Sequence, residues 1–297
     1  MCSSDLISLV CEVWRLQIKV GKALQGVGMA ELPDIASTVA RTKEYYDGPA
    51  DEIYRLIWGD NIHLGVPCGP SCPHPEAMEH TNEIMAGFVN LDEGSRVLDL
   101  GCGYGATARY LVREHKCAVV GINVSEKELE LAQKRELQAN LQSFLKYSDE
   151  SFDVVGSQEA FLHGADKDKI ISESKRVLIS GGKLIFTDLL VKSGTAQVDR
   201  ERIYQRVKTP VMWDMDDYRR SLMVHRFEVL QTQDWSAYVS QSYSWIRTQV
   251  DRNRDRLLEK LDPQTIDSTL ESLDFWVDSA NSGKIGWALF VAVKSGA

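Results

Sequence analysis

Cysteine is scarce: six residues in 297, at positions 2, 11, 68, 72, 102 and 117. They are too few and too scattered for a disulfide framework, and we read them as reduced thiols. No apolar run approaches the ~20 residues that span a bilayer, since stretches such as Ile285–Val293 are short and carry glycine. Lysine and arginine are never massed in a block, and 43 acidic against 34 basic residues leave a formal charge of -9. A surface of that sign does not neutralise a phosphate backbone, which excludes nucleic acid as the main partner. Internal repeats and low-complexity tracts are also missing. Met1-Cys2-Ser3-Ser4-Asp5 lacks the basic and apolar regions of a secretory signal, so a water-soluble chain in a cytoplasm-like compartment is expected. A composition of 43% hydrophobic and 26% charged residues excludes disorder and allows one large core or two modest ones.

The pattern changes along the chain. Leu6, Val10, Trp14, Ile18 and Leu24 stand at helical spacing over residues 5–29, and a second helical region runs from Ile35 to Ile57, broken by Gly48-Pro49. A Pro/Gly-rich loop, Gly65 to Pro73, precedes a helix at 75–90. From Arg96 onward short apolar strands alternate with helices. The strands are Arg96–Leu100, Ala118–Ile122, Phe152–Ser157 and Lys183–Thr187; the helices are Thr107–Glu114, Ser125–Asn140 and Asp166–Leu178. That alternation predicts βαβ units and a doubly wound, mostly parallel sheet covered on both faces. Residues 195–235 are less regular and end in a strand-like Phe227–Thr232. Helices around 238–260 and 264–280 and a last strand, Ile285–Val293, follow.

The most informative segment is Val97-Leu98-Asp99-Leu100-Gly101-Cys102-Gly103-Tyr104-Gly105, which follows a buried strand and opens a helix. Its glycines let the backbone turn tightly and a ligand approach closely. Asp99, two residues before the first glycine, would repel a pyrophosphate at this helix end and favours a cationic ligand. The segment resembles the first motif of the class I S-adenosylmethionine-dependent methyltransferases, and with the strands after it the likeness covers about residues 42–190. The resemblance implies a seven-stranded Rossmann-like sheet with S-adenosylmethionine as cofactor. It places Asp99, Gly101, Cys102, Gly103, Gly105 and Gln158 around that cofactor. Asn123-Val124 stands at the second strand end, where the family commonly has an acidic residue for the ribose. Only 28 residues separate Asn123 from Phe152, a span in which the family fits a helix, a strand and the adenine loop; Ser143 and Phe144 best match the adenine-contacting pair.

Ser157-Gln158-Glu159-Ala160-Phe161-Leu162-His163, followed by Asp166-Lys167, closely resembles the sarcosine and dimethylglycine N-methyltransferases, which make glycine betaine. Two amino-terminal blocks, Ala40 to Asp47 and Ile57 to Gly65, resemble the cap of the same enzymes. The likeness implies residues 1–90 as a helical segment and cap. Residues 91–297 would then form the catalytic domain, with an acceptor-pocket insertion at about 190–260. A looser likeness runs to the phosphobase methyltransferases, in which the equivalent His pairs with a cap Tyr. Leu189 stands where those enzymes place a phosphate-binding Tyr, which disfavours a phosphorylated acceptor.

Alkylamines are mostly protonated near neutrality, and an ordinary imidazole titrates in that range, which makes His163 the candidate proton-handling group. Tyr46, with Tyr45 as alternative, would orient it. Trp58 offers a cation–π face worth about 0.5–2 kcal/mol, and His63 lies in the same cap block. An acceptor carboxylate needs a cation, and Arg206, Arg219, Arg220 and Lys284 are the candidates. Cys68, Cys72 and His74 allow a zinc reading, but three crowded ligands without a second pair favour a flexible lid, and no metal is expected. Two other functions stay open: C-methylation of a sterol or phenolic acceptor, and a catalytically inactive, methyltransferase-like binding protein.

Overall fold

The computed structural model describes residues 35–133 and 147–296. The helix expected over 5–29, Cys2, Cys11, Ser143 and Phe144 lie outside the described residues.

The described chain opens with α1 (Ile35–Asp47), α2 (Pro49–Ile53) and a π-helical turn, Tyr54–Trp58. After the Pro/Gly-rich loop comes α3 (His74–Gly87), and then the alternating region: β1 (Arg96–Leu100), α4 (Ala106–His115), β2 (Ala118–Ile122) and α5 (Glu126–Gln133). It continues with β3 (Phe152–Gln158), a short 3-10 turn (Phe161–His163), α6 (Lys167–Val177) and β4 (Leu178–Val191). The remainder is α7 (Gln197–Val207), α8 (Met215–Val224), β5 (Phe227–Asp234), α9 (Val239–Arg252), α10 (Arg254–Leu258), α11 (Pro263–Asn281) and β6 (Ile285–Lys294).

Among the described residues the sheet has six strands, ordered β2-β1-β3-β4-β6-β5, one fewer than expected. β2, β1, β3 and β4 run parallel, with Asp99 level with Gly121 on one side and Gly156 on the other. β6 is inserted antiparallel between β4 and β5. Successive side chains point to opposite faces of a strand, so each strand feeds two cores. Val97, Val154, Ile185 and Leu289 pack on one face with Trp276 and Trp287. Leu98, Val155, Phe186 and Phe290 pack on the other with Tyr218. Phe161 and Phe290 both stack on Phe186, with centroid distances of 4.6 and 4.8 Å.

Three expectations change. The irregular stretch 195–235 contains α7 and α8. α7 buries only Ile203 and Val207, too sparse a stripe to show a helical period, whereas α8 is set by a reciprocal capping box between Asp214 and Asp217. The strand expected at Lys183–Thr187 is longer, beginning at Leu178 and running through Gly181-Gly182. Finally, Cys68 and Cys72 are joined by a disulfide rather than being free thiols, because the loop folds their Cα atoms to 5.3 Å. Cys102 and Cys117 are free and buried. No described helix is long and apolar enough to cross a membrane.

Candidate active site

The chain leaves β1 through a turn in which Gly101, Gly103 and Gly105 all take left-handed φ, at 77°, 50° and 77°. The amides of Gly101 and Cys102 donate to the carbonyl of Ile122, at 2.8 and 3.1 Å, folding the turn against the end of β2. Space adds to conformation at Gly101, where a Cβ would collide with that of Ala160; one at Gly103 would meet only Cδ1 of Ile62, the movable end of a side chain, at 2.9 Å. A cavity of about 320 Å³ opens at the carboxyl ends of β1, β2 and β3. Gly101, Gly103, Asn123, Val124 and Gln158 line it together with Tyr46, Glu128 and His163. Asp99, Cys102 and Gly105 do not line it; Asp99 lines a small neighbouring cavity of about 40 Å³ with Thr107 and Gln158. Asp99 is buried with Oδ2 unpartnered, and burial pushes its carboxyl up to about 7. Burial likewise raises the Cys102 thiol, and Gly105 caps α4.

The second strand end holds a residue that the sequence reading missed. Asn123 turns its amide to Glu128, Nδ2 donating to Oε2 at 2.6 Å, and its Oδ1 accepts from the amide of Val124 at 3.0 Å. Glu128 lines the cavity, is buried, and keeps Oε1 unpartnered; burial first, and then nearby Asp51 and Asp47, raise its carboxyl to about 7. An acidic group therefore does reach this strand end, from the first turn of α5, five residues beyond the position where it was expected. Gln158 is held at both ends of its carboxamide, accepting from Thr107 Oγ1 at 2.6 Å and donating to Asn82 Oδ1 at 3.1 Å.

Across the cavity, α1 brings Tyr46 onto the 3-10 turn, its hydroxyl 2.9 Å from His163 Nε2. His163 Nδ1 is buried and unpartnered. Burial, reinforced by the Lys167 ammonium, drives the imidazole down to about 3, so it is neutral throughout the working range. This corrects the reason for which the sequence singled it out: an imidazole here does not titrate near pH 7. Lys167 also holds the turn in place. Its buried Nζ donates to the carbonyls of Leu162, Gly164 and Val211 at 3.1, 3.0 and 2.8 Å, and burial lowers its pKa against the pull of nearby Asp188.

Glu159, directly after β3, has φ of 47°, a conformation that costs a non-glycine residue energy and persists where surroundings over-determine it. The surroundings are three donors to its buried carboxylate: Thr187 Oγ1 at 2.6 Å, Trp287 Nε1 at 2.7 Å and the amide of Leu64 at 3.0 Å. Burial raises its pKa while these bonds pull it down. The last of the three fastens the loop after the π-helical turn to the sheet. Further ties join the amino-terminal segment to the core at Tyr104–Asp51 (2.5 Å), Ser125–Asp47 (2.7 Å) and Arg109–Asp60 (3.1 Å).

Tyr45 meets Tyr46 edge-on at 5.1 Å and lines a second, larger cavity of about 580 Å³. Trp58 lines it too, with Nε1 donating to the carbonyl of His63 at 3.3 Å. His63 lines neither cavity; it is buried, donates from Nδ1 to the carbonyl of Leu64, and is driven down to about 4 by burial. Of the four candidate cations, Arg206 lines the second cavity. Arg219 and Arg220 pair with Asp216 and Asp217 on exposed α8, and Lys284 pairs with Asp199.

A parallel sheet with this glycine turn, an acidic side chain at the second strand end and helices closing over the strand ends defines a Rossmann-like methyltransferase. A family profile described as a methyltransferase domain matches residues 98–186. The chain belongs to the class I S-adenosylmethionine-dependent methyltransferases, and its cofactor is S-adenosylmethionine. Among its relatives, the sarcosine/dimethylglycine N-methyltransferase of Halorhodospira halochloris is 31% identical over 85% of this chain and 95% of its own. The 27-O-demethylrifamycin SV methyltransferase of Amycolatopsis mediterranei is also 31% identical, over 84% of this chain and 95% of its own. A crystal structure from Galdieria sulphuraria, of a candidate sarcosine dimethylglycine methyltransferase, superposes with a TM-score of 0.78 at 26% identity, covering 84% of this chain and 98% of the other.

Proposed function

We propose that the chain transfers methyl groups to the nitrogen of sarcosine and dimethylglycine, forming glycine betaine. The observation that carries the reading is the contact of Tyr46 with a neutral His163, which closes the amino-terminal helices over a glycine-walled cavity. The likeness to the Halorhodospira enzyme supports the choice of acceptor.

The cavity fits the cofactor. Gly101 and Gly103 line it without side chains, and the unpartnered oxygens of Asp99 and Glu128 offer buried acceptors to a ligand that is cationic and rich in hydroxyl groups. We assign Glu128, oriented by Asn123, to the ribose hydroxyls, and the glycine turn with Asp99 beneath it to the amino-acid end. When bound, S-adenosylmethionine supplies an electrophilic methyl group on a sulfonium. The chain's part is to exclude water and to set the acceptor nitrogen in line, which is where most of the acceleration of such a displacement resides. The acceptor reacts as the free base. A buried imidazole at about 3 does not take a proton from an alkylammonium near 10, so the proton leaves to solvent before the transfer. His163 then works as a fixed hydrogen-bond partner that holds Tyr46 against the transfer site. We assign residues through 90 to the cap, and the chain between about 190 and 260 to the acceptor side.

A screen with glycine, sarcosine, dimethylglycine, phosphoethanolamine and a phenol, read by S-adenosylhomocysteine release, tests the proposal. Turnover of sarcosine and dimethylglycine above the others is the expected result. A larger hydroxylated acceptor is the second reading. It is favoured by the 580 Å³ cavity, which exceeds what dimethylglycine fills, and by the likeness to the rifamycin enzyme. Turnover of the phenol with none of either amino acid selects it.

A further inference from the structure

An amino-acid acceptor brings a carboxylate as well as an amine, and a carboxylate moved out of water needs a cation placed to meet it. The four cations that the sequence offers separate cleanly in the fold. Arg219 and Arg220 already have acidic partners one helical turn away on an exposed face, and Lys284 holds Asp199 at 2.9 Å. Arg206 differs. It lies half-buried on α7 in the wall of the larger cavity, with its guanidinium carbon 5.7 Å from the ring centroid of Tyr243 and Nη1 donating to Ser272 Oγ at 3.3 Å. No carboxylate lies within ion-pair distance of it among the described residues, and a guanidinium with five donors has spent one on a hydroxyl.

The same cavity is lined by Tyr45, whose ring meets Tyr46 edge-on at 5.1 Å, and Tyr46 in turn bonds His163. The edge-on pair therefore stands between the two cavities, Tyr45 lining the one that holds Arg206 and Tyr46 lining the one with the glycine turn. Arg202 and Lys208 stand on the wall with Arg206 against a single acidic residue, Glu271, so that cavity's field attracts anions.

We propose that Arg206 receives the carboxylate of the acceptor and thereby directs its nitrogen to Tyr45, toward the Tyr45–Tyr46 pair that separates this cavity from the cofactor's. The assignment rests on the amino-acid acceptor proposed above and adds the group that distinguishes such an acceptor from a neutral amine of the same size.

The test pairs two acceptors with two substitutions. Dimethylglycine and N,N-dimethylglycinamide present the same tertiary amine with a charged and an uncharged end. With S-adenosylmethionine saturating, Arg206→Gln should raise KM for dimethylglycine about 10- to 100-fold, the range for losing a hydrogen bond to a charged group. KM for the amide and for S-adenosylmethionine should stay within about twofold, and Arg206→Lys should recover part of the loss. An unchanged KM for dimethylglycine, or an equal rise for acid and amide, overturns the assignment while leaving the proposed function standing. If the unsubstituted protein binds S-adenosylmethionine yet never methylates dimethylglycine, the proposed function fails and takes the assignment with it. Calorimetric binding of S-adenosylmethionine reports the folding of each variant. If Arg206→Gln does not fold, the acid-to-amide ratio of Arg206→Lys decides, an unshifted ratio overturning the assignment.

Discussion

The neutrality of His163 makes a sharp kinetic prediction. With the imidazole at about 3, roughly one molecule in a thousand carries the protonated form at pH 6, whereas an ordinary imidazole near 6.5 would be about three-quarters protonated there. Asp99 and Glu128, at about 7, act on cofactor binding, which a saturating concentration masks, so between pH 6 and 9 the titration that governs the acceptor is its own, near 10 by analogy with other alkylamines. We therefore expect kcat/KM for dimethylglycine to rise about tenfold per pH unit across that range, with no inflection near 6.5. His163→Asn removes the imidazole and keeps a polar side chain. Its penalty should be the same at every pH, because the group deleted is neutral at every pH. The size follows from deleting one hydrogen bond to the Tyr46 hydroxyl, about 0.5–1.5 kcal/mol or about 2- to 13-fold. Initial rates of S-adenosylhomocysteine release with the cofactor saturating and dimethylglycine varied provide the measurement. An inflection between pH 6 and 7 in the native enzyme that disappears in His163→Asn would refute the reasoning, since it would show that the buried imidazole carries a proton during turnover.

Three other substitutions probe the cofactor cavity. Glu128→Gln keeps the bond with Asn123 and removes the charge; calorimetry should find S-adenosylmethionine bound about tenfold more weakly, a loss of about 1.4 kcal/mol, and unchanged affinity would remove Glu128 from the ribose site. Asp99→Asn should raise the melting temperature of the free protein at pH 8 while weakening cofactor binding. The Asp99 carboxyl is raised from 3.8 to about 7, so ionising it costs stability that grows from pH 4 to about pH 7 and reaches at most about 4 kcal/mol; below pH 4 the substitution should be neutral. Gly101→Ala meets both a left-handed φ of 77° and the Ala160 side chain, so scanning calorimetry should record a clear drop in melting temperature together with loss of cofactor binding.

Local pattern reveals some parts of this molecule and conceals others, for physical reasons. β1 with its glycine turn announces itself because a buried strand, three left-handed glycines and a helix start fall within a few residues. The alternation of short apolar strands with helices likewise reports a parallel sheet. Tyr46 and His163, 117 residues apart, were paired through resemblance and meet in the structure. Glu128 was hidden because it sits among Glu126, Lys127 and Glu130, where composition cannot tell which carboxylate faces inward; the packing of α5 against α1 decides it. Arg206 was one of four equivalent cations until the fold paired the other three with acids. The depressed His163 titration comes from enclosure by segments distant in sequence, which no spacing rule carries. The left-handed backbone at Glu159 was invisible for the same reason, since its three donors come from Leu64, Thr187 and Trp287.

The insertion of β6 between β4 and β5 bears on how the protein is made. Ribosomal synthesis releases β1 through β4 in order, and each can pair as it emerges, but β5 has no neighbour in the sheet until β6 arrives. The same late strand carries Trp287, one of the three donors that hold Glu159 in its costly backbone conformation. A nascent chain that has not yet reached Ile285 thus has an open sheet edge, an unclosed β5 and a loop at Leu64 whose anchor is incomplete. Competence for methyl transfer is delayed until the last strand is threaded in, and until then two exposed edges are open to mispairing with other chains.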